Sequence, residues 1–152
     1  MKANGHGLLC VPIYSARTGM LRTLQFIAGD GAKKMLTGGR MKDGFFPFQD
    51  TADFWNTARH RIGIVEGYAT GSTLAETLHE TATFAAFSAG NLKAVAQGLR
   101  ARYAKTQIII FGDNDANQIG QRYATEAARA VDGFIAIPPT TGYDWNDVRS
   151  AA

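Results

Sequence analysis

The chain has 152 residues, of which 45% are hydrophobic, and a formal net charge of +3 at pH 7. This length allows one hydrophobic core of ordinary domain size, about 100 to 150 residues, with room for one small additional lobe. No run approaches the roughly 20 apolar residues that span a bilayer, and Pro12 interrupts the first apolar run, so we expect a cytoplasmic protein without membrane contact. Cys10 is the single cysteine, which excludes an intrachain disulfide and leaves a cysteine-based zinc site without ligands.

The charged residues are unevenly distributed along the chain. Residues 1–61 carry nine Lys and Arg against four Asp and Glu, a net +5, whereas residues 62–152 carry seven against nine, a net −2. A basic part joined to a mildly acidic part suits a polyanionic partner beside a cation site. Solvated surface lysines explain the same numbers equally well, so charge alone does not decide between the two.

Short strands are predicted for the first part of the chain, about residues 6–48. The apolar runs LLCVPIYS, MLRTLQFIA and KKMLTG have strand length and are separated by turns that contain glycine, a pattern typical of hairpins. The stretch GGRMKDGFFPFQD, residues 38–50, is predicted to be an irregular connection. We therefore expect a β-rich segment over 1–50, a connecting segment with a short helix over 51–60, and a separate domain over 61–150.

Strands alternate with helices from residue 61 onward. The runs RIGIVEG, FAAFSA, QIIIFG and GFIAIP are predicted strands, and STLAETLHE, NLKAVAQGLRARYAK and QIGQRYATEAARAV are predicted helices between them. Helices of this length between apolar strands imply parallel pairing through right-handed crossovers. The prediction is an α/β fold with a compact, mainly parallel sheet of about four strands flanked by helices.

Acidic residues follow three of these four strands. Glu66 ends the first strand, Asp113 and Asp115 follow the third, and Asp144 and Asp147 follow the fourth. The active crevice of such sheets lies outside the carboxyl ends of the strands, so we expect these side chains to gather there. Their oxygen atoms are the ligands that Mg²⁺ or Mn²⁺ prefers. For any single aspartate, a helix cap or a turn is the alternative interpretation.

Glycines next to these residues are expected to shape the backbone. Gly67 and Gly71 are predicted to let the chain turn tightly between Glu66 and the following helix, which would leave the carboxylate exposed at the edge. Gly120 is predicted to act similarly near the third helix. Each of them is equally compatible with an ordinary turn.

Four stretches of the α/β part together resemble one known family, the Toprim (topoisomerase-primase) domain. They are EGYATG (66–71), AFSAGNL (86–92), IIIFGDNDANQIG (108–120) and DWND (144–147). The order, the spacing and the strand context are all similar to those of plasmid and phage primases and primase-helicase proteins, over about residues 60–150. The resemblance implies a Toprim-like sheet preceded by a small β-rich part.

The resemblance also implies a role for each acidic residue. Glu66, Asp113 and Asp115 match the catalytic and metal-holding residues of the family, and Asp144 or Asp147 matches its accessory metal ligands. The implied activity is Mg²⁺-dependent (or Mn²⁺-dependent) nucleotidyl transfer on nucleic acid, as the catalytic part of a DNA primase or primase-helicase. The ions would bind the triphosphate, lower the pKa of the attacking hydroxyl and stabilise charge on the leaving oxygen.

A weaker resemblance reaches upstream. The segment SARTGMLRTLQFIAGDGAKKMLTGGR, residues 15–40, is similar to the end of the primase core that precedes the Toprim domain. It implies that Lys33, Lys34, Arg40 and Lys42 contact phosphates of the template or the nucleotide without reading sequence. The implied partners are a single-stranded DNA template, nucleoside triphosphates, and zinc-binding, RNA polymerase core or helicase domains of a larger protein.

Other functions remain compatible with the sequence. A Toprim-type nuclease would use Glu66 to activate water or to move a proton, and a noncatalytic nucleic-acid binding or assembly module would keep the acidic residues as a structural ion site. A topoisomerase is disfavoured because none of the five tyrosines carries the signature of a nucleophile. Receiver and haloacid-dehalogenase domains also have acidic strand ends, but Pro138-Pro139 stand where a receiver would need lysine. The chain departs from cellular replicative primases at Thr70, where they carry an acidic residue, and at Asn114, where they carry glycine.

Aromatic residues cluster just before the α/β part. Phe45, Phe46, Phe48 and Trp55 have the chemistry to stack single-stranded bases. Packing in the hydrophobic core explains them at least as well, and we favour core packing.

Overall fold

A computed structural model describes residues 2–3, 7–49 and 61–150 of the chain. The short helix predicted over 51–60 lies outside the described residues, as does Trp55. Within the described ranges, no helix is long and apolar enough to cross a membrane.

Nine strands and four helices are formed by the described residues. In chain order they are β1 (Lys2–Ala3), β2 (Leu9–Ser15), β3 (Leu21–Ile27), β4 (Lys33–Met35), β5 (Gly44–Pro47), β6 (Arg61–Val65), α1 (Tyr68–Thr77), β7 (Thr81–Ala85), α2 (Leu92–Arg102), β8 (Gln107–Phe111), α3 (Ile119–Ala130), β9 (Phe134–Ala136) and α4 (Trp145–Ser150). Eight of the strands form the order β4-β3-β2-β5-β7-β6-β8-β9, and β1 pairs with β2.

The last four strands confirm the predicted α/β fold. Strands β7, β6, β8 and β9 are parallel to one another, and helices lie between them along the chain. The register is regular, with Val65 opposite Ala85 on one side and Phe111 on the other. Apolar strands of this kind pair in parallel because helices cover both of their faces.

The first five strands are antiparallel and join this parallel part without a break. The prediction of an irregular connection over 38–50 is wrong at β5, which pairs with β2 at Tyr14–Phe45 and with β7 at Phe46–Ala85. Pairing with two distant strands is a long-range effect that the glycine-rich local sequence does not reveal. The division into a β-rich segment and a domain beginning at residue 61 stays a prediction.

Some predicted boundaries differ from the observed ones. Helix α1 begins at Tyr68 rather than at a Ser or Thr cap, because Gly67 is its N-cap and no side chain caps it. The predicted strand FAAFSA is displaced: β7 begins at Thr81 and ends at Ala85, since Phe87 adopts a left-handed conformation with φ of 66°. Helix α4 was not predicted.

Two hydrophobic clusters form the core, one on each face of the parallel strands. The first contains Ile64 of β6 together with Leu99 and other residues of α2 and α3. The second contains Val65, Leu74 and Phe111. Strand β2 gives Val11 to the second cluster, whereas Ala16, just after β2, belongs to the first. The antiparallel part of the sheet therefore contributes side chains to both clusters.

The three phenylalanines near the end of the described range 7–49 pack inside the protein. Phe45 is fully buried and packs edge-on against Phe84, and Phe46 is 8% exposed. Phe48 lies between Phe46 and Tyr68, with ring centroids 5.0 and 5.1 Å away. Core packing, rather than base stacking, is therefore the role of these three phenylalanines.

Candidate functional site

The candidate site lies where the order of the parallel strands reverses. The chain places β7 on one side of β6 and then β8 on the other, and a crevice forms at the carboxyl ends of such a pair. Glu66 is the residue after β6, and Asp113 comes two residues after β8. Because Val65 is paired with Phe111 on strands about 4.8 Å apart, the two acidic residues leave the sheet side by side.

The electrostatics of Asp113 bring all five predicted acidic residues into one cluster. Burial is the largest cause that raises the pKa of the Asp113 carboxyl, from 3.8 to about 6. Four negative charges raise it further; they belong to Glu66, Asp144, Asp115 and Asp147. We call these five residues the acidic cluster. Like charges this close repel unless a proton or a cation relieves them.

The loop after β7 holds Glu66 in place. The Phe87 amide donates to the Glu66 carbonyl at 2.7 Å. The pKa of the Glu66 carboxyl is raised, first by burial and then by the charge of Asp115. A hydrogen bond from the Ala89 backbone and the positive charge of Lys33 act in the opposite direction. Glu66 is therefore a partly buried carboxyl with both a fixed backbone donor and a nearby cation.

Three aspartates of the acidic cluster also cap helices. The Gly120 amide, in the first turn of α3, donates to Asp115 Oδ2 at 3.1 Å. At the start of α4, the Asp147 amide donates to Asp144 Oδ1 at 2.8 Å, and the Asp144 amide donates to Asp147 Oδ2 at 3.0 Å. This reciprocal pair is a capping box with aspartate in both places. Capping leaves lone pairs on the carboxylate oxygens for a further ligand.

The acidic cluster suits an open metal site and not a closed one. Among the described residues, no group of three or more His, Cys, Asp or Glu side chains is arranged to hold a metal ion by itself. The set of donors consists of carboxylates that are crowded enough to raise the pKa of Asp113. Mg²⁺ fits this arrangement because it binds through one or two carboxylates and completes its shell with water and substrate phosphates.

Two of the three neighbouring glycines, Gly71 and Gly120, act through close packing rather than through turns. Gly71 lies inside α1, where an added Cβ would lie 2.3 Å from the Phe48 ring, so the prediction that it turns the chain before the helix is wrong. An added Cβ at Gly67 would meet nothing closer than 3.8 Å. At Gly120 it would lie 2.9 Å from Asp115 Oδ2, so this glycine lets α3 approach the acidic cluster.

The predicted basic residues fall into two clefts. Arg40 and Lys42 line a cleft of about 450 Å³ together with Arg17 and Arg22. Lys33 and Lys34 line another cleft of about 490 Å³, whose other walls are mostly apolar. Of these basic residues, Lys33 is the one that acts on the pKa of Glu66.

Sequence reasoning missed several residues that shape the site. Arg22 and Ser15 both donate to the buried Asp43, at 3.1 and 2.6 Å, which fixes the loop that carries Lys42. The Asn91 side chain accepts a hydrogen bond from the Asp43 amide and donates hydrogen bonds to the Gly44 and Ala86 carbonyls. The signal for each was its place in a stretch quoted for the family resemblance, AFSAGNL for Asn91 and the segment 15–40 for Ser15 and Arg22.

Comparison with known families defines the class of this protein. Residues 61–152 match the family described as Toprim domain, which is more than half of the chain. The chain belongs to the Toprim domain family, and the resemblance drawn from its motifs is confirmed.

The relatives are DNA primases. The chain is 40% identical over 135 residues to DNA primase TraC of Escherichia coli, and the match covers 84% of this chain and 12% of the relative. A second TraC primase of that organism is 35% identical over 135 residues and is covered to 9%. The chain thus spans only about a tenth of the length of these curated relatives.

Solved primase structures share the fold. The primase fragment of the bacteriophage T7 primase-helicase aligns with a TM-score of 0.63 and 18% identity, over 93% of this chain and 57% of that one. The RNA polymerase domain of Mycobacterium tuberculosis primase DnaG aligns with a TM-score of 0.65 and 16% identity, over 98% of this chain and 55% of that one. Both matches include the antiparallel strands, because they cover more of the chain than residues 61–152.

Proposed function

We propose that this chain is the catalytic Toprim part of a DNA primase and that it supports Mg²⁺-dependent nucleotidyl transfer. The observation that carries the proposal is the acidic cluster, in which four carboxylates act on the pKa of Asp113 at the carboxyl edge of the sheet. Crowded carboxylates destabilise the folded state unless they bind a cation or a proton, so a purely structural role would favour neutral or positive residues here. Membership of the Toprim family and similarity to TraC primases support the same reaction.

Glu66, Asp113 and Asp115 are assigned to the catalytic metal ions, with Asp144 or Asp147 as an accessory ligand. When bound, Mg²⁺ would neutralise the triphosphate and activate the attacking hydroxyl. The carboxylates orient the ions, and the N–H of Ala89 keeps the Glu66 carboxyl in one position. Mn²⁺ has the same preference for oxygen ligands and serves as a substitute.

The basic clefts are assigned to phosphates. Lys33, whose charge acts on the pKa of Glu66, suits the phosphates of a nucleotide held at the acidic cluster or of the template beside it. Lys34, Arg40 and Lys42 are exposed and suit the phosphates of a single-stranded template. Arg17, which joins Arg40 in its cleft, extends this assignment beyond the residues expected from the sequence.

The remaining steps of primer synthesis are assigned to other parts of a larger protein. The TraC relatives are about seven to ten times as long as this chain, and one structural relative is described as containing zinc-binding and RNA polymerase domains. We propose that zinc-binding, RNA polymerase core or helicase domains complete the enzyme, which would work in the cytoplasm on single-stranded DNA and nucleoside triphosphates.

A metal-dependent nuclease is the second candidate. The raised pKa of Glu66 favours it, because a carboxyl whose pKa moves toward neutrality is better suited to proton transfer than an ordinary glutamate. Strand cleavage by the isolated chain, without any synthesis, would support this alternative.

Glu66→Gln tests the proposed function. The chain, with or without the substitution, replaces the matching segment of the E. coli TraC primase, and primer synthesis is measured on single-stranded DNA. Glutamine keeps the shape and removes the charge, so we expect synthesis to fall by a factor of at least ~100 while template affinity barely changes.

Glu76→Gln is the matched control for this experiment. Glu76 is an exposed residue of α1 whose carboxylate pairs with Arg149 at the surface, at 2.6 Å. The control should synthesise primers at the unmodified rate. Full synthesis by a folded Glu66→Gln protein would refute the role given to Glu66, and equal losses in both variants would point to a general effect of charge.

A further inference from the structure

Asp144 is held by a buried side chain from another element. Thr70, in the first turn of α1, is 4% exposed, and its hydroxyl donates to Asp144 Oδ2 at 3.0 Å. A β-branched side chain in a helix has few rotamers, so burial fixes the direction of this hydroxyl. Asp144 is therefore tied to the helix that begins two residues after Glu66.

The segment before Asp144 is held from the opposite side by Asn114. The Asn114 amide donates to the Tyr143 carbonyl at 3.0 Å, and the Asn114 carbonyl accepts from the Gly142 amide at 2.6 Å. The Asn114 side chain donates to the Pro138 carbonyl at 2.8 Å and accepts from Gln121 Nε2 at 2.8 Å. Asn114 lies between Asp113 and Asp115, so these bonds join the two acidic segments directly. The bonds to residues 142 and 143 are made by the main chain, and the Asn114 side chain adds the bonds to Pro138 and Gln121, which Asn114→Ala would remove.

Asp147 has a different environment. It is exposed, and the hydrogen bond to its carboxylate comes from the Asp144 amide, within the capping box of α4. No side chain of another described element contacts its carboxylate through a hydrogen bond. Asp144, by contrast, is partly buried and is connected to both sides of the crevice.

We infer that Thr70 and Asn114 are positioning residues for Asp144, and that Asp144 rather than Asp147 is the accessory carboxylate for a hard cation. The inference rests on the proposed function in one respect, that the acidic cluster takes a cation. Thr70 fixes the carboxylate, and Asn114 fixes the segment that carries it. Partners that orient ligating carboxylates typically change metal affinity by roughly 10-fold to 100-fold when they are removed.

Binding of Tb³⁺ to the 152-residue chain tests this inference without catalysis. Tb³⁺ is a hard cation that prefers carboxylate oxygen, and Trp145, next to Asp144, can sensitise its luminescence when excited. Thr70→Val keeps the shape of the side chain and removes the donor, so we expect roughly 10-fold weaker binding. Asp144→Asn should weaken binding at least as much, whereas Asp147→Asn should change it by less than about 3-fold, because asparagine retains the cap.

Two matched variants separate positioning from folding. Thr73 lies one turn further along α1, is 8% exposed, and donates to Asn146 in α4 at 2.6 Å, so Thr73→Val loosens the same helix contact without touching Asp144. It should leave Tb³⁺ affinity within about 2-fold, and Thr70→Ser, which keeps the hydroxyl, should restore most of it. Circular dichroism confirms folding of each variant.

A coupling measurement decides the mechanism. If Thr70 acts through Asp144, Thr70→Val should have little additional effect on a chain that already carries Asp144→Asn. Asn114→Ala should likewise lose its effect in that background. Full additivity, or equal losses from Thr70→Val and Thr73→Val, would overturn the inference, and so would an unmodified chain that does not bind Tb³⁺.

Failure of the inference and failure of the proposed function give different results. If the double variant Asp113→Asn, Asp115→Asn abolishes Tb³⁺ binding while Thr70→Val leaves it unchanged, the positioning role alone is refuted. If Tb³⁺ binding depends on Thr70 but the unmodified chain supports no primer synthesis in place of the matching TraC segment, the positioning role stands and the primase assignment fails.

Discussion

Removing the charge of Asp113 should stabilise the metal-free protein at neutral pH. Burial and four neighbouring carboxylates raise the pKa of Asp113 from 3.8 to about 6. A carboxyl whose pKa is higher in the folded state than in the unfolded state binds its proton more tightly when folded. Its contribution to stability is therefore complete below about pH 4 and is lost as the pH rises through about 6.

The size of this effect follows from the pKa. Each pKa unit corresponds to about 1.4 kcal/mol, so a rise from 3.8 to about 6 sets an upper limit of about 3 kcal/mol. Asp113 is partly exposed, and solvent screening reduces this limit to about 1 to 2 kcal/mol. Asp113→Asn cannot ionise and should therefore unfold roughly 2 to 8 °C higher than the unmodified chain at pH 8.

Thermal and urea unfolding at pH 4 and pH 8, without divalent ions, measure the difference. The two proteins should be equally stable at pH 4, and the difference should appear between pH 4 and pH 7. Millimolar Mg²⁺ at pH 8 should reduce the difference, because the ion stabilises only the form that binds it better. Asp30→Asn, at an exposed turn, is the control and should unfold with the same dependence on pH as the unmodified chain, because it retains Asp113. A variant at Asp113 that is less stable than the unmodified chain at pH 8 would refute the electrostatic reasoning.

Two further predictions concern ligands. Mg²⁺ or Mn²⁺ should bind weakly alone and more tightly with a nucleoside triphosphate, and isotherms with nucleotide that do not change in the Asp113→Asn, Asp115→Asn double variant would exclude the acidic cluster as the site. Replacing Lys33 and Lys34 by alanine should weaken single-stranded DNA binding for all sequences alike and reduce its salt slope by roughly two. Lys105→Ala, beyond the end of α2, is the control for this slope, and an unchanged slope in the double variant would make both lysines ordinary surface residues.

The parallel half of the fold could be predicted because its pattern is local. Each of β6, β8 and β9 is a short apolar run next to a predicted helix, and their carboxyl ends must meet at one edge. The strand β7 was displaced in the prediction because TATFA alternates threonine with apolar residues, whereas the following AAF run is more uniformly apolar. Its true end depends on the left-handed Phe87, whose amide bonds to Glu66.

The antiparallel half depended more on contacts that are distant in sequence. The glycine-rich stretch that contains β5 gives no local pattern of a strand, and its four residues are ordered by β2 and β7 on either side. Helix α4 has only six residues, too few for a clear hydrophobic period. Its capping box, Asp144 and Asp147 three residues apart, was a local signal that could have revealed it.

The positions of the acidic residues could be predicted from the strand ends. Which of Asp144 and Asp147 is held in place could not be predicted in that way. Both Asp144 and Asp147 follow β9, and nothing in DWND distinguishes them. The distinction arises from Thr70 and Asn114, which lie 74 and 30 residues before Asp144. Only after folding does Thr70 bond to the Asp144 carboxylate and Asn114 to the segment that precedes it. Sequence spacing therefore predicts which carboxylates lie at the carboxyl edge of the sheet. The hydrogen-bond partners of each carboxylate decide which one is held in place.

The same arrangement explains why the acidic cluster can exist without a closed metal cage. Asp115 and Asp144 each receive a backbone or hydroxyl donor that is present whether or not a cation binds. The pKa of Asp113 is raised to about 6, first by burial and then by the four neighbouring carboxylates. A cation bound together with a nucleotide would relieve this repulsion, which would couple binding of the ion to binding of the substrate.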